Sequence, residues 1–261
     1  MTLKPGRERS VRNRHPWLFG GAIASVHGVP ADGDAVEVLA ADGSWLARGT
    51  WSGVSQIRLR LWTWNQDEQI DGDLIRVRME RAIMGRAALA ADPATSAYRI
   101  VFSESDGLPG LIVDRYGEYL VMQLLTTGAA ARADLIVECL AEISGVTGIY
   151  ERSDADVRSK EGFERREGLR WGTLPEEPFE ILENGYRMVI DLQSGQKTGA
   201  YLDQRTNRAR VAAYCRDAEV LSCFSYTGGF ELHAAGAGAN VITSIDSSPV
   251  ALDWAEENMR R

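Results

Sequence analysis

Val220-Leu-Ser-Cys-Phe-Ser-Tyr-Thr-Gly-Gly-Phe230 is followed, after a run of small residues, by Asn240-Val-Ile-Thr-Ser-Ile-Asp246. Two short apolar runs, a glycine turn with a small-residue helix between them, and a helical stretch from Pro249 to Arg261 read as the opening of a doubly wound parallel sheet. Glycines after the first strand let the backbone approach a ligand. An acid ending the second strand, eighteen residues after Gly228, can accept both hydroxyls of a ribose. The turn is not GxGxxG, so a nicotinamide dinucleotide is disfavoured and a nucleoside without phosphates fits better. S-adenosylmethionine is the common ligand of that kind on such a sheet. Asp246 would then hold the ribose, the loop from Phe224 to Gly229 the methionine part, and Ser247 the adenine edge. A βα turn without a ligand is the plainer alternative.

Just upstream, Gln193-Ser-Gly-Gln-Lys-Thr-Gly-Ala-Tyr-Leu-Asp-Gln-Arg-Thr-Asn-Arg208 is dense in polar groups. Lys197, Asp203 and Arg205 have the charges to pair with the carboxylate and ammonium of an amino-acid ligand, and Arg208 and Arg210 begin a helix packing toward the sheet. The cofactor candidates are therefore Lys197, Tyr201, Asp203, Arg205, Phe224, Ser225, Tyr226, Gly228, Asp246 and Ser247. A capped loop leading into a solvated helix start would use the same letters.

The grammar is different before residue 75. Ala35-Val-Glu-Val-Leu39, Trp45-Leu-Ala-Arg-Gly-Thr-Trp51 and Gln56-Ile-Arg-Leu-Arg-Leu-Trp62 alternate apolar and polar residues between glycine turns, the pattern of a small antiparallel barrel. In the third run Ile57, Leu59 and Leu61 share one face, leaving Arg58, Arg60, Trp62 and Trp64 on the other, where cations beside aromatics suit phosphate contact and base stacking. The same face would serve equally as packing against a neighbouring domain. Residues 72 to 92 carry a helical stripe of Leu74, Ile75, Met79, Ile83 and Met84. After it come strands at 98–102, 111–115 and 119–124 in a hairpin pattern and a helix striped by Leu135, Ile136, Cys139, Leu140 and Ile143 and stopped at Gly145; a strand at 148–151 and the stretch 180–192 complete a strand, strand, helix, strand, strand unit.

Composition narrows the classes further. The chain has 261 residues with 44% hydrophobic and 25% charged content, which fits folded domains and excludes disordered or disulfide-scaffold classes. No apolar run approaches the ~20 residues of a membrane span, and the first twenty residues do not read as a signal peptide, so a cytoplasmic address is expected. Three cysteines without CxxC spacing predict neither disulfide nor zinc site, and no metal is expected. A net charge of −8 argues against coating nucleic acid by charge alone. However, Lys4, Arg7, Arg9, Arg12 and Arg14 face only Glu8 at the N-terminus, a basic arm that can grip phosphate locally. On charge alone a solvated, partly frayed terminus is the favoured reading of that arm.

Several long runs carry a resemblance. His15-Pro-Trp-Leu-Phe19, Gln56-Ile-Arg-Leu-Arg60, Asp106-Gly-Leu-Pro-Gly-Leu-Ile-Val-Asp-Arg115, Gln196-Lys-Thr-Gly-Ala-Tyr-Leu-Asp-Gln-Arg205 and Val220–Phe230 resemble, in this order, the ribosomal RNA large subunit methyltransferase I family. The resemblance implies a mixed α/β and β chain. Residues 1–75 would be a PUA-like RNA-binding β-barrel, 76–180 a small α+β middle domain, and 181–261 the start of a Rossmann-like class I methyltransferase sheet. It also implies an S-adenosylmethionine-dependent enzyme that methylates carbon 5 of a cytosine in 23S ribosomal RNA, with a homodimer among the possibilities. RNA contacts are expected from Lys4, Arg7, Arg12, Arg14, Arg58, Arg60 and Trp62. A class I sheet has seven strands, and two parallel ones fit before Arg261. The chain is therefore expected to be a fragment or a truncated paralogue, inactive by itself, with the cysteine nucleophile beyond Arg261. Cys223, inside the first strand, is expected to be buried. The alternative is a non-catalytic RNA-binding protein with a decayed methyltransferase end. A nicotinamide-dependent oxidoreductase and a methyltransferase of guanine are more distant rivals.

Overall fold

The computed structural model describes residues 1–154, 157–176, 178–193 and 198–261. The chain folds as two compact units, one comprising 1–87, 100–114 and 118–174, the other 88–99, 115–117 and 175–261.

The first unit opens with β1 (Thr2–Leu3), α1 (Arg9–Arg12), β2 (Trp17–Phe19), β3 (Ile23–Ser25), β4 (Ala35–Leu39), β5 (Trp45–Trp51) and β6 (Ile57–Thr63). These strands form one sheet in the order β2-β6-β5-β4-β1-β3, with β4, β5 and β6 a meander in antiparallel register. The N-terminal arm is not frayed. Leu3, Val11 and Leu18, before, among and after its basic residues, are buried in a core with Val38, Ala47, Leu59 and Leu61. The Met1 ammonium donates to Glu37 O at 2.9 Å, and burial pushes its pKa down. Charge tracks the exposed positions of the arm, while three apolar plugs anchor it. Trp64 departs from the expected face as well: it packs against this core and donates Nε1 to Val11 O at 2.7 Å.

Beyond the barrel come α2 (Gly72–Met84), capped by Asp71, and α3 (Ala87–Ala90). Leu74, Ile75, Met79 and Ala82 form the buried stripe of α2, and Met84, expected on it, is exposed. Next are β7 (Ala97–Phe102), β8 (Leu111–Tyr116), β9 (Tyr119–Leu124), α4 (Thr127–Ala130), α5 (Ala133–Ser144), β10 (Gly148–Ser153), α6 (Val157–Glu161) and β11 (Arg166–Gly172). They build a sheet in the order β11-β10-β9-β8-β7, in which α5 is the crossover between parallel β9 and β10. Gly145 ends α5 in the left-handed region, φ 60°, and α5 buries Ile136, Cys139 and Leu140 but exposes Leu135.

The strand after β10 is not the expected one. Arg166-Glu-Gly-Leu-Arg-Trp-Gly172, charged and broken by glycines, pairs antiparallel with β10 at the sheet edge. Charges and glycine suit an edge that must not recruit further strands, and they remove the apolar alternation by which a strand is recognised. The stretch 180–192 instead forms a hairpin of its own, β12 (Phe179–Glu183) and β13 (Tyr186–Ile190). Asn184-Gly185 closes it with φ of 51° and 84°, the paired left-handed residues of a tight two-residue turn.

The second unit continues with α7 (Arg205–Ala212), β14 (Glu219–Cys223), α8 (Gly229–Gly236), β15 (Val241–Ile245) and α9 (Pro249–Arg260). Strands β14 and β15 are parallel, Val220 opposite Ile242 and Cys223 opposite Ile245. Leu221, Val241 and Ile245 are exposed. Cys223 is exposed too, against expectation, because alternation puts it on the same uncovered side of β14 as Leu221.

Candidate cofactor site

The turn after β14 holds three residues in the left-handed region: Phe224 at φ 61°, Tyr226 at 50° and Gly228 at 81°. Two of them bear side chains, a conformation that costs about 1–3 kcal/mol each and persists only where neighbours enforce it. The neighbours are identifiable. Ser225 N donates to Ile245 O at 3.2 Å, Tyr226 N to Asp246 Oδ2 at 2.8 Å, and Asn258 Nδ2 to Thr227 O at 2.8 Å. The turn faces a cavity of about 450 Å³ lined by Tyr201, Gln204, Arg208, Ser225, Tyr226 and Asp246, with Phe224 and Ser247 at its edge. Phe224 is 91% exposed.

Asp246 sits where the sequence places an acid for a ribose. Its Oδ1 accepts from Ser248 N at 2.9 Å and its Oδ2 from Tyr226 N. These donors, Ser248 N–H first, hold the carboxyl below the usual carboxylate range, so it is an anion at neutral pH with acceptor capacity left on both oxygens. Ser248 also caps α9, its Oγ accepting from Ala251 N.

Gly228 plays a different part from the expected one. It does not line the cavity; it is buried at the start of α8, and a Cβ there would lie 3.0 Å from Ala255 Cβ. The glycine lets α9 pack close to α8. Asp203 and Arg205 are not cavity residues either: Arg205 Nη1 donates to Thr95 Oγ1 at 3.2 Å, and Asp203 accepts from Gln204 Nε2 at 3.4 Å. Asp203 stands in the short 3-10 turn Leu202–Gln204 and Arg205 at the first position of α7. Lys197 lies outside the described residues.

Sequence reasoning missed what supports the cavity. Arg208, 5% exposed, donates from Nη1 to both oxygens of Glu183 at 2.8 Å and from Nη2 to Tyr201 O at 2.9 Å. One guanidinium thus ties β12, α7 and the Tyr201 wall together, and Tyr201 meets Tyr226 edge to face at 5.5 Å. His233 lies behind, Nε2 3.8 Å from Glu183, with Nδ1 donating to Gly229 O and Nε2 accepting from Asn184 Nδ2. Burial pushes its pKa down, which keeps it neutral. The available signal was the density of arginines after Tyr201, but nothing in spacing pairs Arg208 with Glu183, 25 residues away. Ser225 Oγ and Arg208 Nε are buried with no hydrogen-bond partner among the described residues. Orphaned polar atoms beside an anionic acceptor suit a ligand that carries both hydroxyl and amino-acid groups.

The expected RNA face on β6 is internal. Trp62 is 1% exposed and donates Nε1 to Thr50 Oγ1, and Arg60, 8% exposed, is bound to Glu104 at 3.0 Å and Glu161 at 2.8 Å. Arg58 donates to Ser52 O and Gly53 O of its own hairpin and lies over Trp51. The rest of the first unit covers Arg60 and Trp62, so these two pack rather than face solvent, while Arg58 is half-buried against its own hairpin. Lys4, Arg7, Arg12 and Arg14 are exposed.

A parallel strand pair with a cavity and an acid at its carboxyl edge, carried on one chain with a small antiparallel barrel, defines an α/β protein with a ligand-sized site at the strand ends and an accessory β domain. Residues 1–64 match the family of PUA-like domains, and residues 166–261 match the family described as S-adenosylmethionine-dependent methyltransferase. Proteins of Shewanella denitrificans and Aeromonas salmonicida, both called ribosomal RNA large subunit methyltransferase I, are 50% and 47% identical to it over 98% of this chain and 65% of their own length. The chain is thus similar to these proteins along nearly its whole length, and it spans about 65% of theirs. The fold matches that of a protein of Streptococcus mutans described as a SAM-dependent methyltransferase, with a TM-score of 0.86 at 21% identity, and of a methyltransferase solved with SAH, with a TM-score of 0.87 at 21% identity. Each match covers 100% of this chain and 66% of the other.

Proposed function

We propose that this chain is the RNA-gripping and cofactor-binding part of an S-adenosylmethionine-dependent methyltransferase acting on 23S ribosomal RNA, at carbon 5 of a cytosine. The cavity at the carboxyl edge of β14 and β15, closed by Asp246 and the Arg208–Glu183 pair, carries this reading. When bound, S-adenosylmethionine supplies an activated sulfonium methyl. The residues of this chain bind and orient it: Asp246 accepts the ribose hydroxyls, Ser225 and the Phe224–Thr227 turn surround the methionine part, and Ser247 borders the adenine. Residues 1–75 grip RNA through Lys4, Arg7, Arg12 and Arg14, residues 76–180 follow in the chain as the middle domain, and 181–261 hold the cofactor. The cytosine target, the 23S molecule, a homodimeric assembly and a cytoplasmic location rest on the family resemblance.

Calorimetric titration of this 261-residue chain with S-adenosylhomocysteine, beside Asp246→Ala, tests the reading. Saturable binding that is lost in the variant is expected. Binding of equal strength in Asp246→Ala refutes the ribose assignment, and no saturable heat from a chain shown to be folded refutes the cofactor site. In that last case RNA affinity alone would favour the non-catalytic binder.

A further inference from the structure

The first unit contains a second concavity, of about 520 Å³. It lies between the end of β6, with Trp64 and Asn65, the α2 residues Arg78 and Arg81, the turn Ser103–Asp106, and Arg14 from the N-terminal arm. Its acids are already matched. Glu104 accepts from Trp17 Nε1 at 2.8 Å and from Arg60, and Asp106 takes both Nη atoms of Arg86 at 2.7 and 2.8 Å. Glu68 accepts from Thr63 Oγ1 and lies 3.5 Å from Arg78.

Two cations at the mouth are unmatched. Arg14 and Arg81 are exposed, and among the described residues neither guanidinium has a hydrogen bond or an acid partner. Arg78 is held deeper by Gly107 O, and burial lowers its pKa without removing its charge. Trp64, fixed through Nε1 to Val11 O, supplies an aromatic wall, and Asn65 an amide able both to donate and to accept.

The geometry points to a pocket for one unstacked nucleotide of an RNA strand, its base against Trp64 and its phosphate between Arg14 and Arg81. A volume of this size suits a single nucleoside phosphate and excludes a duplex. A strand is favoured over a free nucleotide because the cations continue past the pocket. Arg14 also borders an adjoining concavity of about 700 Å³ that includes Arg7, Arg9, Asn13 and His15. The inference rests on the proposed RNA substrate and extends the grip of the basic arm into this cleft.

Binding of a short single-stranded ribo-oligonucleotide, followed by fluorescence anisotropy between about 50 and 200 mM salt, tests it. For Arg14→Ala/Arg81→Ala, affinity should fall on the order of tenfold, and the salt slope should flatten by about 1.4, two contacts at about 0.7 each for a single strand. The Lys/Lys double variant should keep the slope, which separates lost charge from lost fold. Retained S-adenosylhomocysteine binding provides a second check on folding. Wild-type affinity and slope in the Ala/Ala variant would overturn the pocket while leaving the RNA reading intact. No oligonucleotide binding by the wild type would overturn both. Adenosine monophosphate bound at Trp64 without competition from the oligonucleotide would overturn the strand in favour of a free nucleotide.

Discussion

Replacing Glu183 with glutamine keeps the side-chain shape and removes one charge from the support of the cofactor cavity. Glu183 is 1% exposed, and both of its oxygens take Arg208 Nη1 at 2.8 Å. Gross attraction between charges about 4 Å apart at an effective dielectric of about 20 is about 4 kcal/mol. Much of that only offsets the desolvation of the two ions. The variant, however, leaves the desolvation of Arg208 in place and removes its partner, which costs about 3–5 kcal/mol for buried pairs. Set against a typical total of about 5–15 kcal/mol, this is a large fraction of the stability of the second unit. With a urea dependence of about 2 kcal/mol per molar, the midpoint should drop by about 2 M. Glu183→Gln/Arg208→Met should recover most of the loss, because an apolar replacement of both partners leaves no stranded charge. It should not recover cofactor affinity, since Arg208 Nη2 also anchors Tyr201 O. Urea unfolding followed by tryptophan fluorescence and circular dichroism reads both variants. A single-variant loss under about 1 kcal/mol, or a double variant no more stable than the single, would refute the account of this pair.

Two further outcomes are expected. Burial holds His233 neutral by lowering its pKa, so the unfolded chain binds a proton that the folded one does not. The resulting stability is fully present above the ordinary histidine value of about 6.5 and is lost as pH falls below it, so urea midpoints measured at neutral and at mildly acidic pH should diverge, and His233→Gln should narrow the gap. Arg60→Ala strands Glu161, 3% exposed at its side chain, and should cost about 3 kcal/mol in stability while leaving the salt slope of RNA binding unchanged; a flattened slope would restore Arg60 to the RNA contacts.

Much of the architecture was legible because it is written locally. The strands β4 and β5 fall where the alternating runs put them, the left-handed stop at Gly145 follows from glycine itself, and the turn after β14 with the acid at Asp246 is a spacing within one βα unit. Tyr201, Ser225, Tyr226 and Asp246 come together at one cavity because a parallel strand pair aligns the carboxyl ends of its strands. Pattern was a poor guide where a residue's partner lies far along the chain. Arg60 and Trp62 read as an outward basic and aromatic face, since alternation defines two sides of a strand but not what covers each of them; Glu104, Arg132 and Glu161 do so here. The charged edge strand β11 lacked the apolar rhythm that marks a strand. Arg205 and Arg208 look alike in the sequence, three residues apart on α7, yet one reaches Thr95 and the other is buried on Glu183. The sequence by itself determined the elements with a local pattern, the class of the sheet and the resemblance to a methyltransferase family. Tertiary structure decided which charges are neutralised in the interior and which stay open to a ligand, because desolvation and pairing depend on neighbours that no local spacing specifies.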